Sequence, residues 1–499
     1  MSGGGPSQGA NCSPSGGSAA APAASVGGGS MSARCRNDRG TAMKITTMTR
    51  RGFLGLGARS GMLGTLAAMG LLGAARPARA AVTDFKALVC VYLYGGNDGN
   101  NMVVPLDAAH YTPYTLIRGS LALSAAANTL LPMRTTMLAA VANPVAQPFA
   151  FHYGMPEIDA LYGQGQVAVV LNVGSLRQPL TKAQYAAGTG VPPQLFSHSD
   201  QTVQMQAGTP SPAGTGWGGR LVDVLGTGGH LDAVSVGGSG LFVEGAATHG
   251  NLVPSNGQLS LAGMSFWPPS AADARKAALA QILAADTGNV IANAANKALA
   301  SGMQLITDLQ LASAVTPITT VFPGSSLASQ LKVVAQLIDL RAAQGPGRQV
   351  YFVSLGGFDT HSGQSYQQWD LLRQVSQAMN AFQLALAEVG AVNQVTSFTM
   401  SDFGRTLQPA STGTDHAWGN HQLVLGAAVR GGVYGQFPSF TLGGADDATG
   451  RGAWIPQFSN QQFGATIGKW FGADPAMLDT QVFKSELANF TVKDVGFMG

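Results

Sequence analysis

Charge is scarce in this sequence. Only 11% of its 499 residues are Asp, Glu, Lys or Arg, and 28 basic side chains against 25 acidic ones leave a formal net charge of +3. No run of Lys or Arg interleaves with aromatic residues, so the electrostatic footprint of a nucleic-acid binder is missing and no nucleic-acid partner is expected. Cysteine is scarcer still: Cys12 and Cys35 fall near the start, and Cys90 sits inside an apolar run. Beyond residue 80 no intrachain disulfide can form. Long hydrophobic runs are lacking at the start as well, since Arg59 and Arg76 bracket the weakly apolar stretch Gly61 to Ala75. About 20 consecutive apolar residues are needed to cross a bilayer, which excludes a spanning helix there.

What the chain has is apolar material and loop formers. Hydrophobic residues make up 45%, with 67 glycines and 25 prolines, enough for a large core joined by many tight turns. Residues 1–42 form a Gly/Ser/Ala/Pro tract that cannot bury a core and reads as disordered, or as an over-long start ahead of Met43. The stretch "TRRGFLGLG" from Thr49 matches the twin-arginine export pattern, and "ARPARA" supplies a small-residue cleavage site at Ala80. Residues 43–80 are therefore expected to be a Tat signal peptide. The Tat translocon becomes a transient partner, and the destination is periplasmic or secreted.

Residues 81–499 are expected to form a single domain. "KALVCVYLYGGNDGNNMVVPLD" from Lys86 is a strand-length apolar run that breaks into a Gly/Asn/Asp loop, and "QVAVVLNVGS" from Gln166 follows a helix expected over Met155 to Tyr162. "RQVYFVSLGGFDTHSG" from Arg348 and "VTSFTMSDFGRT" from Val395 repeat the pattern, separated by a helix-period segment over Tyr366 to Val389. Strands alternating with helices predict an α/β fold with a mostly parallel central sheet covered on both faces. The Ala-rich stretch of about 271–314 is expected to be a helical insertion on that sheet.

In open α/β sheets ligands gather beyond the carboxyl ends of the strands, so residues there carry the chemistry. They are Asp98 after the first strand, "FSHSDQ" from Phe196 after the second, Asp359 and His361 after the third, and Asp402 and Arg405 after the fourth. "STGTDHAWGNHQ" from Ser411 then adds Asp415, His416 and His421. Carboxylates and imidazoles without a competing thiolate suit a divalent ion such as Zn, Mn, Mg or Ca. Roughly five to seven such donors could hold two ions about 4 Å apart. Taken singly, several have plainer readings. Asn97-Asp98-Gly99 is a turn tripeptide, Asp402 could cap a following segment with Arg405 as its ion-pair partner, and His152 and His198 read as satisfied loop or core histidines. Trp418 reads as packing.

"YGGNDGNNMVVP", "GGFDTHSGQ", "SDFGRT" and "TDHAWGNHQLVLGAAVRGG", in this order after the Tat signal, resemble the bacterial family called domain of unknown function 1501. That family resembles the alkaline phosphatase and sulfatase superfamily, which implies a mostly parallel sheet between helices with metal ligands on loops at the strand ends. Carried over, the resemblance implies metal ligation by Asp98, Asp359, His361, Asp402 and His416, with His421 as an extra candidate. It implies a nucleophile at Ser197, with Ser199 or Thr202 as alternatives. Arg405 has a functional reading of its own, since a guanidinium beside a metal can clamp two oxygens of phosphate or sulfate. Three departures stand out. Phe403 follows Asp402 where the phosphatases have a histidine, Asp359 and His361 are closer together than the phosphatase pair, and no formylglycine motif is present. The activity implied is hydrolysis of phosphate or sulfate esters, on small molecules or glycans. The alternative is a non-catalytic periplasmic binding or assembly factor on the same fold.

Overall fold

The computed structural model of the protein describes residues 83–125, 130–132, 147–211, 214–315 and 317–499. The tail expected over 1–42 and the export signal expected over 43–80 lie outside the described residues. The strands are β1 (Phe85–Leu93), β2 (Val103–Pro105), β3 (Leu130–Pro132), β4 (Phe149–His152), β5 (Val167–Gly174), β6 (Ala233–Ser235), β7 (Asn251–Leu252), β8 (Gly347–Leu355), β9 (Val395–Ser401), β10 (Asn420–Leu425), β11 (Gly432–Tyr434) and β12 (Phe458–Ser459). The principal helices are α1 (Ala108–Arg118), α2 (Pro156–Gly163), α3 (His198–Ala207), α4 (Trp217–Leu225), α5 (Pro269–Ala284), α6 (Val290–Val315), α7 (Ser326–Asp339), α8 (Gln364–Glu388) and α9 (Asn460–Phe471).

The main sheet runs β11-β5-β10-β9-β1-β8-β6-β7, with β12 also pairing β5, and β2, β4 and β3 form a small antiparallel sheet beside it. The fold is the expected α/β class. β1 lies parallel to β8 and β9, and β11 and β12 lie parallel to β5, whereas β10 is antiparallel to both β5 and β9. That single reversal matters for function. A buried strand looks the same in sequence whichever way it runs, and here the reversal makes residues 402–419 a loop that leaves β9 and re-enters at β10 on one edge of the sheet.

β1 reads as an unbroken apolar run because both of its faces are covered. Val89 and Val91 pack into one core with Leu331 and Val334 of α7 and Leu372 and Val375 of α8. Leu88, Cys90 and Tyr92 point the other way, into a core shared with Trp217 and Leu221 of α4 and Phe463 and Ile467 of α9. The strand period of two divides them. The Ala-rich stretch forms α5 and α6; Leu305 and Leu309 anchor it to the first core, while Ile282, Val290 and Ile291 stay exposed. Among the described residues no helix is long and apolar enough to cross a membrane.

Candidate metal centre

Three chain segments deliver side chains to the edge where β1, β5, β8 and β9 end and β10 begins. After β8 the chain turns at Gly357 (φ 104°) and presents Asp359 and His361. The loop from β9 to β10 presents His416, and α3 opens on His198, with Ser197 at its N-cap. Glycine allows the loops to nest: a Cβ at Gly95 would strike the Asp359 backbone nitrogen, and one at Gly413 would strike the His361 backbone.

His198, Asp359 and His416 form a candidate metal-binding triad, each offering one ligand atom within 4.8 Å of the others. His198 Nε2 stands 3.0 Å from His416 Nε2 and 3.4 Å from Asp359 Oδ1, and His416 Nε2 is 3.3 Å from that same oxygen. His361 stands beside this triad, its Nε2 lying 3.0 Å from both Asp359 Oδ1 and His416 Nε2. Ligand bonds of 2.0–2.1 Å place tetrahedral donors about 3.3 Å apart. The observed separations fit a divalent ion of that size.

Each imidazole is turned the same way. His198 Nδ1 bonds Asp402 Oδ2 at 2.8 Å, His416 Nδ1 bonds the Phe196 carbonyl at 2.8 Å, and His361 Nδ1 faces Asp415 Oδ1 at 3.3 Å. With Nδ1 protonated toward an oxygen, the Nε2 lone pairs converge, which is how outer partners commonly set metal-binding histidines. The hydrogen bond to Asp402 raises the His198 pKa despite partial burial. Burial lowers that of His416, the Phe196 carbonyl pulling only partly the other way. For Asp359, burial pushes upward, but the Arg405 charge and hydrogen bond outweigh it and hold the carboxyl below its usual value.

The other residues expected at the site have different employments. Asp402 is a buried outer partner: Oδ2 accepts from His198 and from the Gly95 N–H at 3.1 Å, and Oδ1 is buried without a hydrogen-bond partner. Asp98 is not drawn into the cluster. Both its oxygens bond Arg118 at 2.6 Å, Gln364 donates to Oδ2, and Oδ1 accepts from the Asn100 N–H at 3.1 Å. A carboxylate so fully paired has no lone pair directed at the site. His421 stands on β10, wholly buried, accepting from the Asn172 N–H at 3.1 Å and packing edge-on against Phe437. Burial lowers its pKa to about 3, so it is a neutral core imidazole. Arg405, expected as a substrate clamp, is buried and gives its protons to the carbonyls of Gly96, Thr414 and Phe358 and to Asp359. It fixes Asp359 and offers no free fork. One metal group is formed among the described residues, against the expectation of donors for two ions.

His198, set aside in sequence as a loop or core histidine, is the residue that sequence reasoning missed. The Phe403 ring packs beside it, its centroid 4.7 Å from that of His198 and 4.8 Å from that of His416. A cleft of about 380 Å³ adjoins the triad, lined by Tyr94, Gly95, His198, Ser199, Thr202, Asp359 and Asp402. Ser197 is not on that lining; its hydroxyl donates to Asp200 at 2.5 Å.

The family model described as "Protein of unknown function (DUF1501)" matches residues 85–484. The chain belongs to this family. The DUF1501 match therefore embraces all three segments that build the centre. No curated protein sequence matches the chain. Among solved structures it is similar to Ps i-CgsB in complex with k-i-k-neocarrahexaose, at 10% identity over 82% of this chain and 77% of that one, TM-score 0.32. It is similar also to the phosphonate monoester hydrolase of Agrobacterium radiobacter, at 11% identity over 78% and 74%, TM-score 0.29. The PsFucS1 sulfatase from Pseudoalteromonas sp. is a third, at 12% identity over 77% and 70%, TM-score 0.28. Likeness at this level assigns no chemistry, and the functional reading rests on the site itself.

Proposed function

We propose that this DUF1501 protein is a metal-dependent hydrolase of phosphate or sulfate esters. One divalent ion would be held by His198, His361, His416 and Asp359. The observation that carries this reading is the convergence of the Nε2 atoms on a carboxylate oxygen at 3.0–3.4 Å, with each Nδ1 facing an oxygen. When bound, such an ion supplies Lewis-acid polarisation of a phosphoryl or sulfuryl oxygen. The protein's own part is to orient. Asp402, Phe196 and Asp415 set the imidazoles, and Arg405 sets Asp359.

Ser199 and Thr202 line the cleft beside the triad and Ser197 does not, so either is a better candidate than Ser197 to attack an ester seated there. Ser199 donates to Asp200 at 3.2 Å. Phosphorylated or sulfated glycans are the substrates that the family resemblance implies, with export by the Tat route implied by Arg50 and Arg51. Assaying the purified protein with zinc, manganese, magnesium or calcium on aryl phosphate, aryl phosphodiester and aryl sulfate tests the proposal. Turnover that needs metal and disappears in Asp359→Ala supports it; turnover untouched by that change contradicts it.

The second reading, a periplasmic binding or assembly factor, draws on a specific feature. Ser197 is turned onto Asp200, and only one metal group is formed among the described residues. Metal-dependent retention of a sulfated or phosphorylated polymer without turnover would favour it.

A further inference from the structure

Residues 175–197 leave the end of β5 and return to the start of α3. Their last turn holds Gln194 at φ 53° and Phe196 at φ 69°. Neither is glycine, so each left-handed conformation is held by its surroundings against its own preference. For Phe196 the holder is Gln201: the Phe196 N–H donates to Gln201 Oε1 at 2.6 Å, while the Phe196 carbonyl accepts from His416 Nδ1 at 2.8 Å. One peptide unit on either side of Phe196 thus links a helix side chain to a metal-centre imidazole. Gln204, one turn along α3, accepts from Ser175 Oγ and donates to the Pro193 carbonyl, both at 2.8 Å, tying the two ends of the segment together.

Gln201 is 1% exposed, and its amide nitrogen is buried with no hydrogen-bond partner. Leaving that donor unpaired is unfavourable, and an apolar side chain would avoid it. What the glutamine supplies is its acceptor oxygen, aimed at Phe196. We propose that Gln201 is a positioning residue for the metal centre, fixing the Phe196 carbonyl that keeps His416 with its proton on Nδ1 and its Nε2 free for metal. The inference rests on the metal-centre reading above.

The test uses the full chain. Gln201→Met keeps length and bulk but removes the acceptor, and Gln201→Glu keeps the acceptor. Zinc affinity is measured by competition with a chromophoric chelator, and ligand geometry by the visible spectrum of the cobalt(II) form. Gln201→Met should bind zinc about tenfold or more weakly, in the range for outer partners of metal ligands, with altered cobalt bands, and Gln201→Glu should restore both. Wild-type affinity and spectrum in Gln201→Met would overturn the inference. Wild-type protein that binds no zinc would overturn the metal-centre reading and this inference with it, a distinguishable result. If Gln201→Met does not fold, hydrogen exchange in the wild type decides: the Phe196 amide should exchange more slowly than that of Leu195, and equal rates would overturn the role.

Discussion

His198 and His416 stand 218 residues apart in sequence, yet their Nε2 atoms are 3.0 Å apart. With Nδ1 of one bonded to Asp402 and Nδ1 of the other to the Phe196 carbonyl, both rings turn Nε2 into the same small volume. Neighbouring lone pairs repel unless a cation or a shared proton lies between them, and Asp359 Oδ1 adds negative charge on the same spot. The folded chain has brought electron-rich atoms together at metal-ligand spacing.

The carboxylate behind His198 should therefore matter for metal although it is placed as an outer partner. Asp402→Ala is expected to weaken zinc binding by about 10–100-fold while leaving the far-ultraviolet circular dichroism unchanged. Isothermal titration with zinc checks it.

Asp98 should behave differently. Its bidentate bond to Arg118 is wholly buried, and breaking such a pair costs about 3–5 kcal/mol. Arg118→Met should lower the urea midpoint by that much stability. The metal bound per folded molecule should stay as in the wild type, which separates a folding ion pair from a ligand.

Acid should destabilise the fold partly through buried neutral histidines. Burial lowers the pKa of His421 to about 3 and that of His152 to about 4, against an ordinary 6.5. The unfolded chain takes up these protons first as pH falls. Stability from the two groups is therefore complete above about pH 6.5 and is lost toward pH 3–4, at up to about 1.4 kcal/mol per pH unit for each. Urea unfolding across this range should show a shallower decline for His421→Gln than for the wild type, with metal content unaffected.

If the cleft is catalytic, its hydroxyls should separate from Ser197. Ser199→Ala or Thr202→Ala, whichever removes the attacking oxygen, is expected to lower kcat by about 10²-fold or more. Ser197→Ala should change it by less than about threefold. Initial rates on the best aryl ester, at saturating metal, make the comparison.

The legible part of the site was the part fixed by short loops. Asp359 and His361 lie a few residues past the end of β8 and His416 a few residues before β10, so counting polar residues there found them. His198 escaped although "FSHSDQ" was counted among the strand-end segments, because residues 175–197 separate it from β5 and a single imidazole there reads as a satisfied loop or core histidine. Its placement at the head of α3 was the available signal. Asp98 was over-read for the opposite reason. Its strand-end position was right, but its partner Arg118 closes a helix 20 residues on, where an arginine looks like surface. The direction of β10 was hidden because burial on both faces erases any sign of polarity along the strand.

The most direct test is elemental analysis after reconstitution with zinc and exhaustive dialysis, on the wild type and on His198→Ala, Asp359→Ala and His416→Ala. A single mononuclear centre predicts one equivalent of metal in the wild type and close to none in each variant. No metal in the wild type, two equivalents, or an undiminished equivalent in the variants would contradict it.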